Sequence, residues 1–167
     1  MIWPPATTLI LPMSGEYVFA DTSGFLALMD GDDRFHAEAV TAWRGYGERG
    51  LVLWTSDYVR LETWSLIQRR LGPEAVLDFK DLILPLVTVL TVGEVMFDHA
   101  VEKWRLARRR NLSLVDITSF DCMRKNSMTE AFAFDRHFSE EGFRLPDGID
   151  SQGSVTDAKQ RPGQPMG

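Results

Sequence analysis

Short apolar runs that hand over to helical patterns constrain this chain more than any other feature. YVFA (17–20), LVLWT (51–55), VTVLTV (87–92) and AFAF (131–134) lack the polar alternation of a half-solvated strand. Runs of this kind suit strands covered on both faces. Between them the apolar positions recur at helical spacing, over residues 22–29, 35–47, 58–71, 74–83 and 93–109, and from Asp116 to about residue 126. Ser56 and Asp57 offer N-caps, and Gly72-Pro73 is a helix stop. Parallel strands need crossovers, and helices supply them. The expected fold class is therefore α/β, a three-layer α/β/α sandwich around a central parallel sheet. GFRL (142–145) is expected to add a last edge strand.

The chain has 167 residues, 44% of them hydrophobic, which suits one domain with a real core. We place that domain at residues 15–146, after an N-terminal extension (1–14) expected to be flexible. Met13 stands just before the first element, so the residues ahead of it read either as an appendage or as the product of an early start codon. Residues 147–167 turn to Gly, Ser, Gln, Asp and Pro, and are expected to be a disordered tail. The single Cys122 excludes an internal disulfide framework and argues against a thiolate metal cluster. His36, His99 and His137 are scattered without metal-ligand spacing. No apolar run approaches the ~20 residues that span a bilayer, and the start of the chain lacks a basic signal-peptide region. The expectation is a cytoplasmic protein with no membrane partner. A net charge of −6 argues against a general nucleic-acid coat, but a local basic patch suffices for an enzyme that acts on nucleic acid.

The strand ends carry acids. Asp21 follows YVFA, Asp135 follows AFAF, and Asp116 sits in LSLVDITSF at the step into a helix. Glu62 lies in the early turns of the helix after LVLWT. Taken singly, Asp21 and Asp116 read equally as helix caps, Glu62 as a solvated helix residue and Asp135 as a turn acid. In a parallel sheet, however, all four lie toward the carboxyl edge, where open α/β sheets bind ligands. Carboxylates gathered there repel one another, and some take up protons unless a cation neutralises them. An oxygen-only donor set suits Mg²⁺, with Mn²⁺ as a substitute, and such an ion activates water for attack on a phosphodiester.

Four blocks carry a resemblance: FADTSGFLALMD with DDRFHAEAV, TSDYVRLETWSLIQRRLG, NLSLVDITSFDCM and AFAFDRHFSEEGFRLP. In content and order they resemble the PIN-domain ribonucleases, in particular the toxin subunits of VapBC-type toxin–antitoxin pairs. The resemblance implies a metal-dependent endoribonuclease whose metal-binding quartet is Asp21, Glu62, Asp116 and Asp135. It implies supporting hydroxyls at Ser23 and at Thr118 or Ser119, an RNA substrate, a cognate antitoxin and a homodimer. Asp121 departs from the family pattern; five residues beyond Asp116, it points roughly 140° away on a helix and reads as solvated or as an outer acid. Arg105, Arg108, Arg109 and Arg110 read either as cations at a helix C-terminus or as RNA phosphate contacts. Trp43, Trp54, Trp64 and Trp104 have apolar flanks and are expected in the core or at a subunit interface, and His36 and Cys122 are expected to be structural. Rival readings are a PIN-like nuclease without an antitoxin, a hydrolase of another phosphate ester, and a non-catalytic binding module. No Gly-rich phosphate loop supports P-loop chemistry.

Overall fold

Val18, Phe19 and Ala20 are completely buried, as expected of a strand covered on both faces. They belong to β1 (Tyr17–Ala20), one of four parallel strands among the described residues, with β2 (Val52–Ser56), β3 (Val87–Leu90) and β4 (Glu130–Phe132). The sheet order is β3-β2-β1-β4. Among the described residues, seven α-helices accompany it: α1 (Thr22–Met29), α2 (His36–Glu48), α3 (Asp57–Arg70), α4 (Pro73–Asp78), α5 (Glu94–Ala107), α6 (Leu114–Lys125) and α7 (Arg136–Glu140). This is the expected α/β/α sandwich. The structure is a computed structural model that describes residues 17–147. The expectations for residues 1–14 and for the tail beyond residue 147 lie outside the described residues.

Local chemistry explains most boundaries. Ser56 caps α3 by accepting the Val59 N–H at 3.1 Å, which frees Asp57 to accept the Val92 N–H at 3.0 Å and tie α3 to the end of β3. The helix expected over 74–83 is α4 followed by a π-helical turn (Phe79–Ile83) and a 3-10 turn (Leu84–Leu86) that feeds β3. The last strand is reduced to a bridge in which Arg144 pairs with Glu130 at the β4 edge. Among the described residues, no helix is long and apolar enough to cross a membrane.

The core is aromatic. Phe25 meets Phe79 edge-on at 5.2 Å, while Trp43 and Tyr46 pack on Phe132 at 5.6 and 5.8 Å. Trp54 is buried against Tyr17 at 4.9 Å, and only Trp104 of the four expected core or interface tryptophans is widely exposed. His36 closes α1 onto α2 through a contact of its Nδ1 with the Ala27 carbonyl at 2.8 Å. Burial pushes the Cys122 thiol up to about 11, so little reactive thiolate forms near neutral pH.

One glycine is required by packing. A Cβ at Gly24 would lie 2.2 Å from the Phe132 carbonyl oxygen, so the first turn of α1 sits directly on β4. That close approach sets the spacing between the loop after β1 and the loop after β4.

Candidate active site

The strand order creates the site. From β1 the chain winds outward through β2 to β3, then returns to the opposite side of β1 with β4. Connections leaving the carboxyl ends of β1 and β4 therefore diverge, and the crevice between them is where open sheets bind ligands. Asp21 leaves β1 and Asp135 follows β4.

Each acid is held by a local device. Asp21 caps α1, its Oδ2 accepting the Ser23 N–H at 2.9 Å and the Ser23 hydroxyl at 2.6 Å. The Ser23 Oγ in turn accepts the Phe134 N–H at 3.0 Å, and the Asp21 N–H donates to the Phe132 carbonyl at 3.1 Å. These bonds lash the start of α1 to the end of β4. Glu62, on α3, accepts the Thr22 hydroxyl at 2.6 Å, and Thr22 accepts the Thr63 hydroxyl at 3.2 Å. Asp116 is not the cap of α6. Ser113 is the N-cap, and Asp116 closes a capping box, its Oδ2 accepting both the N–H and the hydroxyl of Ser113 at 2.8 Å. Asp135 caps α7 through the His137 N–H at 2.9 Å.

The four carboxylates line one cavity of about 430 Å³, with Ser23, Ser113, Phe134 and the basic residues Arg34 and Arg70. Asp116, Asp135 and His137 each offer a donor atom within 4.8 Å of the others. Asp21 is 5% exposed, and its carboxyl is raised from 3.8 to about 7. Burial is the main cause; the Ser23 bonds oppose it, and the charges of Asp116 and Glu62 add to it. Among the described residues, none of Asp21, Glu62 and Asp116 has a cationic ion-pair partner. A larger hollow of about 620 Å³, beside α2 and Arg144, contains none of the four acids.

A sequence model of the PIN domain matches residues 18–143. The chain belongs to the PIN-domain family. It is 37% identical over 129 residues to the 23S rRNA-specific endonuclease VapC20 of Mycobacterium tuberculosis, covering 75% of this chain and 95% of that protein. The same match is found in a second strain of that organism. The crystal structure of M. tuberculosis VapC20, a sarcin-ricin loop cleaving toxin, superposes with a TM-score of 0.68 at 36% identity, covering 75% of this chain and 95% of that one. FitAcB from Neisseria gonorrhoeae shares the fold, with a TM-score of 0.56 at 13% identity over 78% of this chain and 96% of that one.

Several residues of this PIN domain stand elsewhere than expected. Thr118 and Ser119 are completely buried, and their hydroxyls donate to the Val115 carbonyl at 2.9 and 2.8 Å, within α6. The hydroxyl on the third acid belongs instead to Ser113. The Ser-x-x-Asp spacing of a capping box is the signal for it. Arg105 pairs with Glu102 and Arg109 with Glu140, Arg108 is the left-handed C-cap of α5, and none of the four arginines lines the acidic cavity. Asp121 pairs with Lys103. Arg70 does line the cavity, and its signal is Glu62-Leu66-Arg70, a four-residue spacing along one face of α3. Arg34 is carried by the turn after α1. Its guanidinium lies 4.3 Å from the centre of the Phe35 ring, which stacks on Phe134 at 5.0 Å.

Proposed function

We propose that this PIN domain is a divalent-metal-dependent endoribonuclease, the toxin of a toxin–antitoxin pair. The observation that carries the reading is the cavity at the β1–β4 crevice, where four carboxylates converge and the buried Asp21 has no cationic partner among the described residues. Hard oxygen donors in a cage of this charge fit Mg²⁺ or Mn²⁺. Asp116 and Asp135 present oxygens within 4.8 Å of each other and of a His137 nitrogen, and Asp21 and Glu62 line the same cavity.

When bound, the metal neutralises phosphate oxygens and lowers the pKa of an attacking water. The chain's own residues prepare the rest. Ser23, Thr22 and Ser113 fix Asp21, Glu62 and Asp116 in place before any ion arrives. Arg70 and Arg34, on the rim, suit the RNA phosphates flanking the cut. Similarity to a 23S rRNA-specific endonuclease whose structure is described as a sarcin-ricin loop cleaving toxin supports a structured RNA loop as the substrate. An antitoxin fits the same cavity, since an arginine pairs well with clustered carboxylates. A homodimer is supported by Leu61, Leu77, Leu82 and Leu86, which remain exposed where α3 and the α4–β3 segment lie. The intact quartet favours the enzyme over the binding-module reading.

The test is RNA cleavage by the purified protein with Mg²⁺ or Mn²⁺ and with excess EDTA. Chelation is expected to abolish cleavage, and undiminished cleavage in EDTA would overturn the metal chemistry. Metal at about 100 times its Kd is expected to stabilise the fold by about 2.7 kcal/mol, read as a rise in the melting temperature. A separate measurement concerns the rim. Arg70→Gln is expected to weaken RNA binding and flatten its log-log salt dependence by a slope of about one. An unchanged slope would leave Arg70 without a phosphate.

A further inference from the structure

His137 is not one of the four carboxylates, yet its ring is built into the site beside two of them. The residue is 6% exposed. Its backbone N–H already donates to Asp135 Oδ1 at 2.9 Å, and its ring Nδ1 returns to within 3.0 Å of that same oxygen. Nδ1 is buried and off the line of a hydrogen bond. On the far side of the ring, Nε2 meets the Asn111 side-chain amide nitrogen at 3.0 Å. Burying a polar atom without a hydrogen bond is costly, and an apolar side chain would fill the same space without that cost.

We propose that His137 is a positioning residue for Asp135, with Asn111 setting its tautomer. This rests on the reading of Asp135 as a member of the metal-binding quartet. An amide N–H donated to Nε2 makes that nitrogen the acceptor, so the ring proton sits on Nδ1. The Nδ1–H then faces Oδ1, and a small turn of the carboxylate completes the bond. With Oδ1 occupied by two donors from one residue, Oδ2 is the oxygen left for the cavity. A helix of only five residues would otherwise hold this acid by a single backbone bond. Outer groups that orient ligating carboxylates typically change metal affinity about 10–100-fold when removed. Asn111 lies in the loop between α5 and α6, so the contact also fixes that loop to the start of α7.

Nitrogen-15 NMR of His137 in the metal-free protein reads the tautomer directly. The Nδ1–H form is expected, before and after Mg²⁺ is added. An Nε2–H form, or an Nδ1 signal that moves to a ligated position with Mg²⁺, would overturn the proposal and make the ring a direct ligand. Calorimetry with Mn²⁺ supplies the second readout. His137→Ala and His137→Gln are expected to weaken Mn²⁺ binding by about 10–100-fold. His137→Asn places an amide N–H where Nδ1–H stood and is expected to recover most of the affinity. Rescue by Gln and not by Asn, or unchanged affinity in a folded His137→Ala protein, would sink the positioning role. Should the substituted proteins fail to fold, the tautomer of the unsubstituted protein still decides. Should the unsubstituted protein bind no Mn²⁺ at all, the nuclease reading falls, while the tautomer separately decides the ring's role.

Discussion

Asp116→Asn is expected to fold and to cleave RNA at least ~100-fold more slowly, a loss at or beyond the upper end of that seen when metal-site support is removed. Two roles of Asp116 are separable because the structure divides the capping between two residues. Ser113 is the N-cap, and Asp116 closes the box through one oxygen, Oδ2, which accepts both donors of Ser113. An asparagine carbonyl oxygen accepts the same bonds, so α6 should lose at most about 1 kcal/mol. The negative charge facing Asp21 and Asp135 disappears, however, and an amide oxygen is a weaker ligand for a hard cation. The measurement pairs an RNA-cleavage assay with a circular-dichroism melt. A folded variant that cleaves at the wild-type rate would reduce Asp116 to a capping residue and remove the quartet reading at its third member.

The contrast between Asp116 and Ser113 shows what the sequence can and cannot convey. Strand positions are legible because strands buried on both faces must be continuously apolar, as β1 is, and β2 and the β-branched edge strand β3 also fall where the runs place them. The acids are legible because a parallel sheet sends every strand end to one edge. β4 is a different matter. The apolar run AFAF suggests four paired residues, but the strand ends at Phe132. The Phe134 N–H donates to the Ser23 hydroxyl, 111 positions away, and a bond of that range leaves no local pattern. α7 is too short for helical periodicity to register, so the cap at Asp135 leaves no trace in the pattern either. His137 has no metal-ligand spacing along the chain, and while Asp135 caps its own helix, Asn111 arrives from the loop between α5 and α6. The arginines from 105 to 110 are conspicuous by density alone, whereas Arg70 reaches the cavity because α3 begins at the sheet edge and carries Glu62 on the same face.

Asp21→Asn should separate activity from stability more sharply, because the two are expected to move in opposite directions. In the metal-free protein the Asp21 carboxyl is raised from 3.8 to about 7, first by burial and then by the charges of Asp116 and Glu62. A folded-state pKa above the unfolded value means that the native state holds the proton more tightly. Its stabilising contribution is therefore complete below the unfolded value of 3.8 and is lost as pH rises through about 7. The loss is on the order of a few kcal/mol, since each tenfold change in proton affinity is worth about 1.4 kcal/mol. Asparagine keeps a carbonyl oxygen for the Ser23 N–H and carries no charge, so it escapes the loss. Without metal, Asp21→Asn is thus expected to melt above the wild type by roughly 5–10 °C at about pH 8, with the gap closing toward about pH 4. The difference between the two proteins isolates Asp21, because every other titrating group is common to both. Added Mg²⁺ should raise the wild-type midpoint well above any rise in the variant, and the variant should lose RNA cleavage. Midpoints that differ by the same amount from about pH 4 to pH 8 would mean that Asp21 titrates as an ordinary solvated acid, and the charged cage would lose its most buried member.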